Sequence, residues 1–387
     1  MTPGPTLGQI LRPFLAEPTA QADVRLAPQQ WKTLRALARC RTSALGGQAY
    51  YCPHCRREHV VAHSCRNRHC PHCQGAQAVD WLAQQSAALL PVPYFHLVFT
   101  LPHSLNGLIR QNRAALFKLL FDAASQTLLE FGAERLQAQL GITAVLHTWS
   151  QTLGDHYHLH SIVTGGGVAH DQSRWVGTSP YYLFPVRALS RKFRGKYLAG
   201  LTALHTAGKL EFHGELQAQA SPAKFAALLR EAARPEWVVY AKRPFAGPEQ
   251  VLAYLSRYTH RVALSPRRLL ATDGASVTFA YKDYADGSRP KTMTLATAEF
   301  VRRFCLHILP ERFVKIRHYG LLGNRQKQTR LAHARQLLGA APLPELLPEG
   351  LRPTAERPLA GCPFCQQPGL VRLGAVPPRP GARLDSS

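Results

Sequence analysis

Two identical cysteine motifs near the N-terminus constrain the fold of this chain more than any other feature. Cys52-Pro-His-Cys55 and Cys70-Pro-His-Cys73 each place two thiols three positions apart, with a basic segment between the motifs. Paired CxxC motifs of this kind supply the four ligands of a structural zinc ion. We therefore predict that residues 31–80 fold around zinc with little helix or strand. The alternative is a set of buried free cysteines.

Further thiols and cations accompany this module. Cys40 and Cys65 are candidate ligands for a second zinc ion, together with one or two nearby histidines, and an interleaved pairing of the two sites stays open. Arg66 and Arg68 flank the motifs. They predict a DNA-binding face, the alternative being a purely structural clip with a solvated basic surface.

The charge balance predicts a polyanionic partner. Lys and Arg number 47 against 23 Asp and Glu, which gives a net charge of +24, while 45% of residues are hydrophobic, as in a globular chain. Nucleases that use two metal ions hold them largely with carboxylates, which are scarce here. With 18 histidines available, imidazole is the favoured ligand for any metal that assists phosphoryl chemistry.

The N-terminal sequence and the hydropathy pattern predict a cytoplasmic protein. Residues 1–20 lack the basic-then-apolar pattern of a secretory signal, and no run of about 18 apolar residues occurs. We therefore expect no membrane partner. In such a chain, cysteines are expected to bind metal rather than to form disulfides.

Periodicity and turn residues divide the rest of the chain into a mixed succession of elements. Strands are predicted at 94–100, 142–150, 156–164, 237–241, 268–272, 277–282 and 291–295. Helices are predicted at 79–90, 104–140 (one long helix or a helix pair), 190–210, 222–233, 248–258 and 296–307. Because no regular βαβ rhythm appears, the fold class is predicted to be α+β with a mainly antiparallel sheet. The predicted domains are 1–90 (zinc-binding and DNA-binding), 91–322 (catalytic) and 323–387 (a mobile Pro-rich tail carrying an isolated Cys362-Pro-Phe-Cys365).

A histidine pair lies on one predicted strand. His158 and His160 are separated by Leu159, and the strand is expected to end at Gly165-Gly166-Gly167. Alternate residues of a strand point to the same face, so the two imidazoles can converge on one cation while Leu159 faces the core. His156 is a candidate third ligand on that face. Such a site would keep coordination positions open for phosphate oxygens.

A tyrosine pair lies on one predicted helix. Tyr254 and Tyr258 are four positions apart and therefore share a face, and Arg257, His260 and Arg261 add positive charge beside them. A tyrosine oxygen can attack a phosphodiester to give a 5′-phosphotyrosine and a free 3′-hydroxyl, which conserves the bond energy for rejoining. The alternative is a helix that packs its aromatic face into the core.

Taken together, these motifs resemble the two-tyrosine HUH transposases of the insertion-sequence 91 type, which transpose by a rolling-circle route. The resemblance covers about residues 30–325. It is carried by the cysteine module with Leu45-Gly-Gly, the His-Leu-His strand, the helix Tyr-Leu-Ser-Arg-Tyr-Thr-His-Arg, and Arg317-His-Tyr-Gly-Leu-Leu322.

The resemblance implies an HUH fold, an antiparallel sheet flanked by helices and preceded by the zinc module. It implies that His158 and His160 bind Mg²⁺ or Mn²⁺ and that Tyr254 and Tyr258 are the nucleophiles. The expected reaction is nicking and joining of single-stranded DNA at the ends of a mobile element, with a third metal ligand taken from elsewhere in the fold.

Two other functions stay open at this stage. A replication initiator or relaxase would use the same chemistry, although the cysteine-rich N-terminus disfavours it. A zinc-dependent DNA-binding protein without catalysis would need the charge and the CxxC motifs but no reactive tyrosine. Oligomeric state, the pairing of cysteines and the role of Cys362 and Cys365 are not decided by the sequence.

Overall fold

A computed structural model of the chain describes residues 4–22, 24–74, 81–82, 85–86, 88–245, 250–251, 262–340 and 361–379. Most of the predicted helix 248–258, and five of the twelve residues of the predicted helix 79–90, lie outside these residues. Among the described helices, none is both long enough and apolar enough to cross a bilayer.

The helices are α1 (Leu7–Ala16), α2 (Pro18–Gln21), α3 (Pro28–Ala38), α4 (Asn106–Gln111), α5 (Arg113–Leu136), α6 (Val186–Thr206), α7 (Pro222–Ala233), α8 (Thr297–Cys305) and α9 (Lys327–Leu337). The strands are β1 (Gly47–Tyr51), β2 (Glu58–Ala62), β3 (Tyr94–Thr100), β4 (Ala138–Trp149), β5 (Asp155–Ala169), β6 (Trp175–Gly177), β7 (Val239–Phe245), β8 (Leu269–Thr272), β9 (Ser276–Asp283), β10 (Arg289–Ala296), β11 (Ile316–Gly320) and β12 (Val371–Val376).

A six-stranded antiparallel sheet forms the centre of the fold. Its strand order is β11-β4-β5-β3-β7, with β6 paired to β5. On one face, aromatic residues of α5 and α6 such as Phe117 and Phe193 pack against Phe99 and Leu159 in a large apolar core. The prediction of an α+β fold with an antiparallel sheet flanked by helices is confirmed.

The described residues also form two smaller sheets, with strand orders β12-β1-β2 and β10-β9-β8. Helices α1, α3 and α8 share one core with the second of these sheets. Leu11, Leu34, Phe279 and Phe300, which are all fully buried, contribute to this core. The N-terminal helices therefore pack on residues that come more than two hundred positions later in the chain.

Local signals placed several elements well. Strand β3 has the predicted bounds, and α7 begins after Ser221, whose side chain accepts a hydrogen bond from the Lys224 amide, with Pro222 in the first turn. The prediction that the glycine triplet ends β5 was wrong, because the strand continues to Ala169. A Cβ at Gly167 would collide with the Gln139 carbonyl oxygen, so glycine here permits close strand pairing.

The segment after residue 322 is not simply a mobile tail. Helix α9 buries Leu331 and Ala334 against Leu321, and β12 pairs antiparallel with β1 at the other end of the chain. Proline-rich composition describes flexible stretches well, but it does not reveal short elements that gain their stability from distant partners.

Candidate functional site

Three imidazoles converge on the face of the central sheet opposite the α5–α6 core. His158 and His160 project from β5 on the same face, as predicted. His147 projects from β4, where it lies directly opposite His158 in the strand register. One ring nitrogen of each residue lies within 4.8 Å of the others. The register of two neighbouring strands thus builds a three-nitrogen site.

Hydrogen bonds fix which nitrogen of each β5 imidazole faces the site. The Nδ1–H of His158 donates to the backbone carbonyl oxygen of His156 over 2.8 Å. In the neutral ring, Nε2 is then unprotonated and its lone pair can bind a metal ion. Burial, with a further contribution from the neighbouring His156 ring, lowers the pKa of His158 to about 3. His158 is therefore a neutral ligand across the physiological pH range.

His96, on the adjacent strand β3, supports the imidazole of His160. Its Nε2 lies 2.9 Å from Nδ1 of His160, and the two rings stack nearly parallel with centroids 5.1 Å apart. Burial lowers the pKa of His96 to about 3, so its Nε2 can accept the proton on His160 Nδ1. The Nε2 of His160 is then directed at the site.

His156, the candidate third ligand, lies outside this group of three, in which His147 occupies the third position. Its ring stacks against His103 at a centroid distance of 5.8 Å, and its carbonyl group holds His158. Sequence reasoning missed both His147 and His96. Each lies inside a predicted strand, but only strand pairing shows that they face His158 and His160.

The cluster suits a divalent cation with an open coordination sphere. Three imidazole nitrogens leave positions for water or for phosphate oxygens. The nearby Asp155 carboxylate is engaged elsewhere, because it accepts a hydrogen bond from the Tyr157 hydroxyl at 2.8 Å and pairs with Arg110 at 2.7 Å. The donor set is therefore imidazole, as the scarcity of acids predicted.

A cavity of about 470 Å³ is lined in part by Trp149, whose ring stacks on the cluster residue His147. Its walls combine aromatic and basic side chains, including Trp149, Phe304, Phe313, Arg68, Arg312 and Lys315. The Trp149 ring stacks on His147 at 4.5 Å, and Lys315 Nζ lies 5.3 Å from the Trp149 centroid. Burial, together with the charge of Arg68, lowers the pKa of Lys315 to about 7. A flat apolar surface beside a cation suits a base and its phosphate.

Cysteines form two separate four-thiol clusters. The first contains Cys40, Cys65, Cys70 and Cys73. Their Sγ atoms lie 3.6 Å (Cys40 to Cys70) and 3.7 Å (Cys40 to Cys73 and Cys65 to Cys73) apart. This cluster adjoins the core of α1, α3 and α8.

The second cluster contains Cys52, Cys55, Cys362 and Cys365. The expected single site made from both N-terminal CxxC motifs is therefore corrected. Each motif belongs to a different cluster, and the Cys362–Cys365 motif is not isolated in space. The N-terminal module lacks the final pair of ligands, so its sequence alone does not identify Cys362 and Cys365 as the partners of Cys52 and Cys55.

Comparison with known families agrees with this layout. A family model described as "Transposase zinc-binding domain" matches residues 10–101, and one described as "Putative transposase" matches residues 141–330. "Putative transposase y4qJ" of Sinorhizobium fredii (strain NBRC 101917 / NGR234) is 43% identical over 379 residues, which are 96% of this chain and 95% of the relative. "Transposase for insertion sequence element IS801" of Pseudomonas savastanoi pv. phaseolicola is 30% identical over 325 residues, 81% of this chain and 76% of the relative.

The chain belongs to the IS91-type transposase family. The resemblance that the sequence motifs predicted is confirmed, including the rolling-circle class and the zinc-binding N-terminal domain. In this transposase, residues 10–101 contain the whole first cysteine cluster and half of the second, and residues 141–330 contain the three converging histidines.

The predicted nucleophiles Tyr254 and Tyr258 lie outside the described residues of the transposase, as do Arg257, His260 and Arg261. The described residues on either side of them border the histidine face. Val251 is fully buried with Ile162, which follows His160 on the same side of β5. Val262 lines the cavity beside Trp149.

The two arginines of the zinc module that were predicted to bind DNA, Arg66 and Arg68, lie in different environments. Arg66 is exposed and adopts a left-handed backbone conformation with φ of 49°. Arg68 is half-buried, and its guanidinium donates to the backbone carbonyl oxygens of Phe313 and Pro310 at 2.5 and 2.6 Å. Arg68 thus joins the zinc module to the segment before β11, a structural role that its predicted part in DNA binding did not include.

Proposed function

We propose that this transposase nicks and rejoins single-stranded DNA through a 5′-phosphotyrosine intermediate. His147, His158 and His160 would hold one Mg²⁺ or Mn²⁺ ion, and Tyr254 and Tyr258 would be the nucleophiles. The observation that carries the proposal is the open three-imidazole cluster on an antiparallel sheet. Its imidazole face is bordered by Val251 and Val262, the described residues nearest to the tyrosine segment.

The chemistry is a balanced phosphoryl transfer. The phenol oxygen of one tyrosine loses its proton and attacks phosphorus, the bond from phosphorus to the 3′ oxygen breaks, and that oxygen takes up one proton to become a 3′-hydroxyl. Rejoining is the reverse step with a 3′-hydroxyl as the attacking group. When bound, the divalent ion would withdraw charge from the phosphate and orient it for in-line attack. Two tyrosines would permit two successive strand transfers.

The remaining residues of the site would position the strand. His96 and the carbonyl group of His156 fix the orientation of the metal-facing imidazoles. Trp149 offers a stacking surface to a base next to the scissile phosphate, and Lys315 offers a positive charge beside it. The net charge of +24 supports binding of the DNA backbone as a whole.

We further propose that DNA binding and catalysis belong to different parts of the chain. Residues 1–90 would bind DNA with the help of structural zinc, Arg66 being the exposed candidate. Residues 91–322 would carry out catalysis, with Arg257, His260 and Arg261 beside the phosphate. The substrate would be the single-stranded ends of a mobile element.

The decisive experiment is a nicking assay on labelled single-stranded oligonucleotides that carry the element's ends, with Mg²⁺ or Mn²⁺. A protease-sensitive covalent protein–DNA adduct is expected. It should disappear in the Tyr254→Phe/Tyr258→Phe double variant and on chelation. Tight binding with no adduct under any divalent ion would overturn the proposal and favour a non-catalytic zinc-dependent DNA-binding protein.

A further inference from the structure

We propose that Cys52 and Cys55 form a second structural zinc site together with Cys362 and Cys365, and that this site fastens residues 361–379 to the N-terminal module. Two of these ligands lie far outside the matched zinc-binding segment 10–101. The inference stands apart from the proposed nuclease chemistry, because it concerns neither the histidines nor the tyrosines.

The spacing of the sulfur atoms fits one tetrahedral ion. Cys52 Sγ lies 3.6 Å from Cys365 Sγ, and Cys55 Sγ lies 3.5 Å from Cys362 Sγ. Zinc–sulfur bonds of about 2.3 Å in a tetrahedron separate neighbouring sulfurs by about 3.8 Å. A disulfide requires a separation of about 2.05 Å, which these pairs do not approach. Four converging thiols without an ion would be a crowded and unfavourable arrangement once ionised.

The two CxxC loops have the same backbone hydrogen bonds. The Cys52 amide donates to the carbonyl oxygen of Arg57, and the Arg56 amide donates back to that of Cys52, at 2.9 and 2.8 Å. In the C-terminal loop, the Cys362 amide donates to Gln367, and the Gln366 amide donates to Cys362, again at 2.9 and 2.8 Å.

The two loops also share their backbone conformation. Arg56 and Gln366, each one position after the second cysteine, have φ of 56° and 63°, in the left-handed region. In the C-terminal loop, the Phe364 amide approaches Cys362 Sγ at 3.4 Å, an interaction that favours the thiolate form. Two loops of one design, facing each other, are the arrangement in which two knuckles share an ion.

Strand pairing also joins the C-terminal segment to the N-terminal module. Strand β1 pairs with β12 over five registered positions, from Gly47 opposite Val376 to Tyr51 opposite Val371. Gly46 has φ of 67°, and a Cβ there would collide with the carbonyl oxygen of Val376. Gly46 therefore allows the close approach of β12. Without β12, β1 would present an unpaired edge.

The test is the metal content of the purified full-length transposase, measured by inductively coupled plasma mass spectrometry. Wild-type protein is expected to carry two zinc ions per chain, one for each cysteine cluster. Cys365→Ser and Cys55→Ser should each reduce the content to one, and the Cys55→Ser/Cys365→Ser double variant should also retain one. Cys305→Ser is the matched control, because Cys305 is buried in the core outside both clusters, and it should retain two.

A second measurement covers the case in which a cysteine variant fails to fold. After metal removal and mild oxidation of wild-type protein, mass spectrometry should find peptides of residues 52–55 disulfide-linked to peptides of residues 362–365. Two zinc ions retained in Cys365→Ser would overturn the proposal. So would iron in place of zinc, or cross-links confined within each CxxC motif. Because neither readout uses DNA cleavage, a failed nicking assay leaves this result unaffected.

Discussion

The cysteine clusters and the histidine cluster represent two ways of building a metal site in one chain. Each cysteine cluster offers four thiols on tight loops, which would fill the coordination sphere of a zinc ion. The histidine cluster offers three imidazoles on the rigid strands β4 and β5, which leaves coordination positions unfilled. A filled coordination sphere would stabilise the fold, whereas an open one would be available for chemistry. Substitutions in the two kinds of site should therefore fail in different ways.

The largest effect is expected from Cys70→Ser. Cys70 is buried beside the core of α1, α3 and α8, and loss of its zinc would remove on the order of 5 kcal/mol of folding free energy. Denaturant unfolding combined with zinc analysis measures this. The control Cys305→Ala removes a core thiol outside the clusters and should cost about 1 kcal/mol. Equal unfolding midpoints for the two variants would show that the first cysteine cluster adds no folding free energy beyond that of an ordinary core thiol.

The next effect concerns activity without folding. His158→Ala should lower the rate of adduct formation about 10³-fold, because an open site that loses one of three ligands loses its ion. The thermal midpoint should change little. His156→Ala is the paired control, because its ring lies outside the cluster, and its backbone carbonyl, which holds His158, is retained. A loss of activity in His156→Ala as large as that in His158→Ala would restore His156 as a ligand.

How much of this the sequence could foresee depends on the distance over which each feature is decided. Strand β3 and helix α7 follow from local patterns, and the alternation of His158 and His160 follows from strand geometry. His147 and His96 depend on strand register, which the order of residues within one strand does not reveal. Cys362 joins Cys52 across 310 positions, and only the pairing of β12 with β1 brings the two together.

A smaller effect should come from the residue behind the open site. His96→Phe keeps a buried ring but removes the acceptor for His160 Nδ1–H, and it should weaken Mn²⁺ binding by about 10- to 100-fold. Electron paramagnetic resonance of free Mn²⁺ measures this without DNA. His96→Gln restores an acceptor oxygen and should recover most of the affinity. If the two variants bind Mn²⁺ equally, His96 has only a packing role.

The smallest expected effect is a pH dependence of DNA binding that arises from Lys315, a residue that lines the cavity. The pKa of Lys315 is lowered to about 7, chiefly by burial, and a bound phosphate would raise it. DNA binding then takes up a proton, so affinity should fall as pH rises above 7, by roughly three- to tenfold up to pH 8.5. Fluorescence anisotropy with a labelled single strand measures this. Lys315→Arg stays charged and should flatten the profile, and an unchanged slope would remove Lys315 from the binding surface.

The pairing of β12 with β1 also sets an order of events during synthesis. Cys52 leaves the ribosome 313 residues before Cys365, a delay of roughly 15 to 60 s at ordinary elongation rates. Throughout that interval, the edge of β1 is not yet paired with β12, and Cys52 and Cys55 are not yet joined by Cys362 and Cys365. The first cluster, complete at Cys73, can close long before. A chain interrupted before residue 361 would therefore expose the edge of β1 without its partner strand, and Cys52 and Cys55 without the two other thiols of their cluster.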